Sequence, residues 1–416
     1  MLPSLRLTSA LLLSLALSVS AGVTTHNTSP VTLALTKQFN LTGASKMLEI
    51  DQARAKALKT RSKASTSQAR HAVPASFPLT NPVMYYSTPV GIGSPPKTYQ
   101  LIVDTGSSNT WVGAQRSKSA LPRSSKPTGD TVELEYGSSR FVGTEYKDTF
   151  HVGDMPIANQ GFGEALFTKG FNNLGADGIL GMGPTGLTCD TLFPSTSKCV
   201  PTVTDSAFAQ NVIDAREVGM SFVPAMTPGD TNGELTLGGT DPSKIDGALT
   251  YVPITTTSPA SRYVGFEQAV AYGDADNVIL TKTAGITDTG TSMVLLATDA
   301  FEQYKTQTGA VMDNKTGLLR VTPEQFGRMR SLVFTIGQTP FDFTPNAQAW
   351  PRQLNKAIGG SPDFVYLMVG DLGSKSGGGL DFINGMAFLE RFYQVYDSTN
   401  NRVGFAPTYY TYSLIN

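Results

Sequence analysis

Two aspartates carry the chemistry this sequence offers. Asp104 lies in LIVDTGSSNTWVG and Asp288 in AGITDTGTSMVLL, nearly half a chain apart. Each heads an Asp-Thr-Gly tripeptide, Asp104-Thr105-Gly106 and Asp288-Thr289-Gly290, entered from an apolar, β-prone run and left through small hydroxyl residues. That pattern predicts a strand running into a tight turn that displays a carboxylate. A single Asp-Thr-Gly is an ordinary loop. Two strand-flanked copies predict a duplicated lobe in which two carboxylates face each other, the minimal kit for general acid/base catalysis.

Other chemistries lack their residues. The chain has three histidines, His26, His71 and His151, and the first two precede the region that reads as folded. One histidine in the body argues against Ser/His/Asp or Cys/His catalysis and against a histidine-based metal centre. His151, in FHVGD, reads as a surface strand residue. The two cysteines, Cys189 and Cys199, have no histidine nearby, and in an oxidising compartment they predict a local disulfide that staples a loop. Gly91-Ile-Gly93 precedes another strand rather than a helix, so it is no nucleotide loop. GDLGSKSGGGL (370–380) lacks a Walker ending and reads as a flexible loop. A formal net charge of −1 gives no reason to expect a nucleic-acid partner.

The elements that must position the aspartates are strands. Only 16% of residues are charged, while glycines number 41 and prolines 25 among many serines and threonines, which favours an all-β protein. The length of 416 residues allows two domains with substantial cores. The opening MLPSLRLTSALLLSLALSVSAG, with Arg6, an apolar run and Val19-Ser20-Ala21, reads as a secretory signal peptide over 1–21. Neither a later membrane span nor a lipid-anchor tail is legible, so a soluble, secreted, extracellular product is expected.

Residues 22–72 differ from the rest. Lys37, Lys46, Arg54, Lys56, Lys59, Arg61, Lys63 and Arg70 stand there against Glu49 and Asp51, leaving 23 basic and 31 acidic residues from 73 onward. MLEIDQARAKALKTR has helical spacing. A basic segment before an acidic body predicts a propeptide held partly by charge and released in acid; the plainer alternative is a solvated tail. From 73 to 250 the pattern of one lobe follows. VMYYSTPVGIGSPPKTYQLIVDTG reads as a hairpin turning at Gly91–Pro96, RSKSALPRSSKPTGD as a surface loop, and TVELEYGSSRFVGTEYKDTFHVG as a hairpin with Tyr136-Gly137-Ser138-Ser139 at its tip. ADGILGMGP reads as a strand and PTVTDSAFAQNVID as a short helix. The pattern restarts near 250, and 251–416 form the second lobe, with LATDAFEQYKTQTG helical, LVFTIGQTPFDFTP a hairpin, and strands to the end. ADGILGMG and LDFINGMAF occupy corresponding places in the two halves.

These residues resemble the pepsin-like aspartic proteases, closely so the secreted polyporopepsin-like members of basidiomycetes. The resemblance covers almost the whole chain after the signal peptide, including TLALTKQFN and DQARAKAL. It is carried by DTGSSNTW, the flap-like YGS, ADGILGMG, DTGTS and FINGMAFLERFYQVYD…NRVGFAP. It implies a bilobal β fold of two barrel-like lobes with a cleft between them. It further implies a monomeric endopeptidase, made as a zymogen, that hydrolyses internal peptide bonds in acid and prefers hydrophobic residues around the cleaved bond. Its implied partners are polypeptide substrates, its own propeptide and pepstatin-type inhibitors; no metal, cofactor, membrane or nucleic acid is implied.

Asp104 and Asp288 would share one proton and activate a water, as family dyads do. The resemblance assigns Thr105 and Thr289 to cross-linking the two loops. Gly106 and Gly290 would allow close backbone approach, and Ser107 and Thr291 would bond the outer carboxylate oxygens. Tyr136, Gly137 and Ser138 would form a closing flap, with Trp111 as the partner of Tyr136. Ile102, Phe162 and Phe167 are candidate cleft-lining residues. Ser139 stands where the family flap has glycine, followed by Arg140; Tyr263-Val264 lacks the usual tryptophan, and the usual second-lobe disulfide is absent. Asn314-Lys315-Thr316 is a glycosylation sequon, and Asn27 and Asn40 lie in others. The competing reading is a catalytically dead pepsin-fold binding or inhibitor protein, against which both intact Asp-Thr-Gly copies argue.

Overall fold

Period-two burial shapes most of the chain, as in Ser139–Val152, where Phe141, Phe150 and Val152 turn inward while their neighbours face outward. The computed structural model describes residues 30–39, 46–61, 84–115, 120–136, 139–171, 175–224 and 231–415. The signal-peptide reading, His26, His71, Asn27, Asn40, Gly137 and Ser138 lie outside those residues. Among the described residues, strands form sheets of 14, 7 and 3 members. The largest sheet carries Lys97–Asp104, which delivers the first aspartate, and the seven-stranded sheet carries Val278–Thr287, which delivers the second.

The two aspartates are delivered by the same device. Lys97–Asp104 pairs in parallel with Gly178–Gly181, placing Asp104 opposite Gly181. Val278–Thr287 pairs in parallel with Phe382–Asn384, placing Ile286 opposite Ile383 and Thr287 opposite Asn384. The partner strands belong to ADGILGMG and LDFINGMAF, the weaker repeat. Each Asp-Thr-Gly therefore leaves a strand already flanked, and its turn is held from the side. Apolar cores back both turns; in the second half, Phe334, Phe343, Phe388, Phe392 and Phe405 pack ring to ring.

The basic N-terminal segment is built into this frame. Val31–Phe39 is a strand inserted between Thr231–Leu237 and Met84–Ile92, with Leu33 and Leu35 buried. Its Lys37 is buried and pairs with Glu390 at 2.5 Å. Met47–Arg61 is a helix whose buried residues Met47, Asp51, Ala55 and Leu58 fall on one stripe at four- and three-residue steps.

The hairpins at 84–104, 131–152 and 332–343 and the helices Val203–Ala209 and Thr298–Thr308 lie where the sequence places them. A reciprocal Thr202–Asp205 capping box opens the first of these helices, and Gly309, at φ +65°, ends the second. Four readings change. The strand Lys126–Tyr136 begins inside the predicted surface loop, its register breaking between Pro127 and Thr131 around Gly129 at φ +89°. His151 is half-buried rather than on the surface. A short helix, Met386–Leu389, interrupts the closing strands. The glycine-rich 370–380 stretch is pinned, since Gly377 and Gly378 donate backbone N–H groups to the buried Asp381.

Candidate active site

The geometry starts from the two turns. Within each, the glycine amide donates to its own aspartate across one residue: Gly106 N to Asp104 Oδ1 and Gly290 N to Asp288 Oδ1, both at 3.0 Å. The following hydroxyl takes the other oxygen, Ser107 Oγ to Asp104 Oδ2 at 2.5 Å and Thr291 Oγ1 to Asp288 Oδ2 at 2.6 Å. Between the turns the threonines exchange bonds. Thr105 N donates to Thr289 Oγ1 and Thr289 N to Thr105 Oγ1, both at 3.0 Å, and the Thr289 hydroxyl donates to Val103 O at 2.8 Å. The outcome is near two-fold symmetry about the carboxylates, with both aspartates buried.

The glycines are required by approach rather than by φ. A Cβ on Gly106 would lie 2.5 Å from Asp288 Oδ1, and one on Gly290 would lie 2.8 Å from Asp104 Oδ1. Any side chain there would push the carboxylates apart.

A residue that the sequence reading did not assign to the site sits between the carboxylates. Arg54, on the Met47–Arg61 helix, donates through Nη2 to Asp104 Oδ1 at 2.6 Å and to Asp288 Oδ1 at 2.8 Å, and through Nε to Asp288 Oδ2 at 2.6 Å. One planar guanidinium thereby satisfies both acids. One turn earlier, the buried Asp51 accepts from the Ser292 amide at 3.1 Å and the Met293 amide at 2.9 Å, just beyond the second Asp-Thr-Gly. Further along, Tyr263 Oη donates to Leu58 O at 2.9 Å and Arg61 Nη2 to Leu187 O at 2.6 Å. The helix lies between the strand Lys126–Tyr136 and the strand Val369–Asp371, across the dyad. A readable signal existed. Asp51 and Arg54 share the buried stripe with Met47, Ala55 and Leu58, and two charges on an apolar face need partners.

Titration follows from this contact. Burial pushes Asp104 up, and the nearby Asp288 charge adds to that against the pull of Arg54. For Asp288 burial is outweighed by the Arg54 charge and hydrogen bonds, together with those of Thr291 and Gly290, and the carboxyl lies below its ordinary value. The two carboxyls titrate as one coupled pair, and the Arg54 charge favours its ionised form.

Tyr136 ends the strand Lys126–Tyr136, and Trp111 Nε1 donates to its hydroxyl at 3.0 Å. Phe171 stands edge-on to both rings, 5.6 Å from Tyr136 and 4.9 Å from Trp111. Burial raises the Tyr136 hydroxyl above its ordinary value, keeping it neutral. Phe171, which the sequence reading did not single out, joins Trp111 and Tyr136 in one aromatic cluster. Phe162 is instead core, packed on Phe150 and Tyr146, and Phe167, further along the same strand, is 49% exposed. Ile102 is buried in the cluster that holds Trp111. Arg140 pairs with Glu133 across the flap hairpin. Cys189 and Cys199 form a disulfide with Cα atoms 4.2 Å apart, closing the short loop between them. Asn314 is exposed, with the Lys315 and Thr316 amides both turned to Asp313.

Comparison with known proteins agrees with this geometry. Residues 85–408 match the family model "Eukaryotic aspartyl protease". The chain is 54% identical over 341 residues to polyporopepsin of Irpex lacteus, covering 82% of this chain and 99% of that protein. It is 31% identical to a cathepsin E of Aquarana catesbeiana, over 80% of this chain and 82% of the relative. The crystal structure of the aspartic proteinase from Irpex lacteus superposes with a TM-score of 0.77 at 54% identity, covering 80% of this chain and 96% of that one. With paired Asp-Thr-Gly turns in a bilobal frame and likeness along most of its length, the chain belongs to the pepsin-like family of eukaryotic aspartyl proteases and is an aspartic endopeptidase.

Proposed function

We propose that the protein is made as a secreted zymogen whose mature form hydrolyses internal peptide bonds in acid through Asp104 and Asp288. One observation carries the reading: a single nitrogen of Arg54 lies 2.6 Å from Asp104 and 2.8 Å from Asp288. Two carboxylates that converge on one donor also converge on one water. The guanidinium stands where that water and the scissile carbonyl would sit, so this arrangement is latent. Once Arg54 leaves, the two acids retain one proton between them. The ionised member takes a proton from the water as it attacks the carbonyl carbon. The protonated member stabilises the developing oxyanion, and a proton then passes to the leaving amine. Ser107 and Thr291 hold the outer oxygens, and the threonine cross-link keeps the acids at one separation.

Tyr136, Gly137 and Ser138 close over the extended substrate, with Trp111 orienting Tyr136. The aromatic and aliphatic surroundings, Phe171 included, favour hydrophobic residues around the cleaved bond. The signal peptide spans 1–21 and the propeptide 22–72, ahead of lobes at 73–250 and 251–416. Among the described residues no helix is long and apolar enough to cross a membrane. Asn314 is the site offered for a glycan in a secreted chain.

The test uses the full chain, secreted from a eukaryotic host. It should be inert on denatured haemoglobin or casein at neutral pH. After acid treatment it should become active and pepstatin-sensitive, with a new N-terminus at roughly residues 70–76, by the composition shift there. Asp104→Asn and Asp288→Asn should each abolish turnover while the chain stays folded. An active chain that keeps its N-terminal segment would refute the zymogen, and activity in either purified mutant would refute the two-carboxylate mechanism.

A further inference from the structure

The Met47–Arg61 helix lies across the dyad, so the groups that hold its side chains also line the path of a substrate. Most of these are backbone carbonyls and amides, which accept any sequence. Away from the dyad, where carboxylates hold Arg54, Lys59 meets a side chain instead. Its ammonium donates to Ser374 Oγ at the edge of the loop that runs from Asp371 to Asp381. Gln52, on the same helix, donates to Asp371 O at 2.8 Å, so two turns of the helix lean on this loop.

The loop is charged and rigid. Asp371 is half-buried, and its Oδ1 accepts from Thr298 Oγ1 at 2.6 Å and from Gly373 N at 2.8 Å, which orients the carboxylate. Asp381 is fully buried and accepts from Thr283 Oγ1 at 2.5 Å, Gly377 N at 2.8 Å and Gly378 N at 2.9 Å. Asp299 takes the Ser376 amide and hydroxyl on the outer side, and Lys375 is exposed there. Burial lowers the Lys59 ammonium, and the charges of Asp381 and Asp371 oppose that shift.

We propose that Asp371, backed by the charge of Asp381 and the hydroxyl of Ser374, forms a subsite that selects a lysine or arginine side chain of the substrate. Lys59 occupies it in the latent chain. Lys59 lies five positions beyond Arg54, which is about 7.5 Å along a helix. An extended substrate covers that distance in about two residues. The basic side chain therefore belongs about two residues from the scissile bond. The proposal rests on the reading of the helix as an occupant of the substrate cleft. It adds a charged preference to the hydrophobic one at the bond itself.

The test is cleavage of a peptide series by the processed enzyme. Members share an apolar scissile pair and carry lysine, norleucine or glutamate two residues to either side. On one side, kcat/KM for lysine should exceed that for norleucine about five-fold, the size of a partly screened ion pair, with glutamate poorest. In Asp371→Asn the lysine-to-norleucine ratio should fall to about one, and Asp371→Glu should retain it. A second readout needs no enzyme variant. A synthetic peptide spanning 47–61 should inhibit the wild-type enzyme, and Lys59→norleucine in that peptide should weaken inhibition several-fold. A lysine ratio of one on both sides, or a ratio unchanged in Asp371→Asn, would overturn the proposal. An inhibitor peptide indifferent to residue 59 would overturn it too. Pepstatin-sensitive cleavage of the norleucine members separates these results from a failure of the endopeptidase reading, which would abolish cleavage of the whole series.

Discussion

At the scale of single residues, the proposed latency rests on the geometry of one guanidinium. Arg54 supplies three short bonds from two nitrogens to three carboxylate oxygens, a fork that an ammonium cannot reproduce. Removing one partner of a buried ion pair costs about 3–5 kcal/mol, because the partner left behind is buried and unpaired. Arg54→Met should therefore weaken docking of the N-terminal helix by at least a hundredfold, and Arg54→Lys by less. The unprocessed Arg54→Met chain should hydrolyse a short peptide substrate at a pH where the wild-type chain is silent, and the initial rate before any processing reads this directly. Equal latency in both chains would show that packing of Met47, Ala55 and Leu58 closes the cleft without the ion pairs. The dyad and its hydroxyls were legible in the sequence because each half is a local word of four residues. The helix face marked Arg54 as a charge needing partners, but which partners was not legible, because they lie 50 and 234 residues away.

At the scale of elements, the flap and the turns are positioned by single side-chain bonds at strand ends. The Tyr136 hydroxyl is the acceptor for Trp111 Nε1 at 3.0 Å, in a cluster completed by Phe141 and Phe171. Removing it leaves a buried indole N–H without a partner, a penalty of about 1–3 kcal/mol. Tyr136→Phe should therefore lower kcat/KM about tenfold or more through a displaced flap, while the melting temperature moves by only a few degrees. Steady-state kinetics beside a thermal melt separates the two, and a large loss of stability with unchanged kcat/KM would move Tyr136 from the flap to the core. Strands and hairpins were readable wherever alternation met a Gly or Pro turn, as at 84–104. The reading failed where long-range pairing overrode local composition. Lys126–Gly129 looks like loop, yet Lys126 and Pro127 pair with Lys147 and Tyr146. Phe162 and Phe167 stand five residues apart on one long strand, and only the fold decides which faces the core.

At the scale of the whole molecule, the chain couples its own N-terminus to the meeting of its two halves, and the coupling depends on pH in two opposed ways. Docked Arg54 favours the ionised dyad, and Asp288 lies below its ordinary value once that charge outweighs burial; protonation as pH falls therefore works against docking. Asp51 works in the other sense. Burial raises its carboxyl from 3.8 to about 7, against the Met293 and Ser292 amides, with Asp288 adding to the rise and Arg54 opposing it. A docked Asp51 thus keeps a proton that a free helix would have lost, so its contribution is complete below the ordinary value and fades as pH rises towards 7. In the proposed zymogen, acid release through the dyad must overcome this strengthening of docking at Asp51. Asn at this position mimics the protonated acid at every pH, so Asp51→Asn should dock more tightly throughout that window. The midpoint of acid conversion, followed by gel mobility after brief incubations, should move downward by about half a pH unit or more. A midpoint that moves upward would mean that the two amides hold Asp51 ionised, and that Asp51 serves the latent chain as an anchor rather than as a brake on its opening.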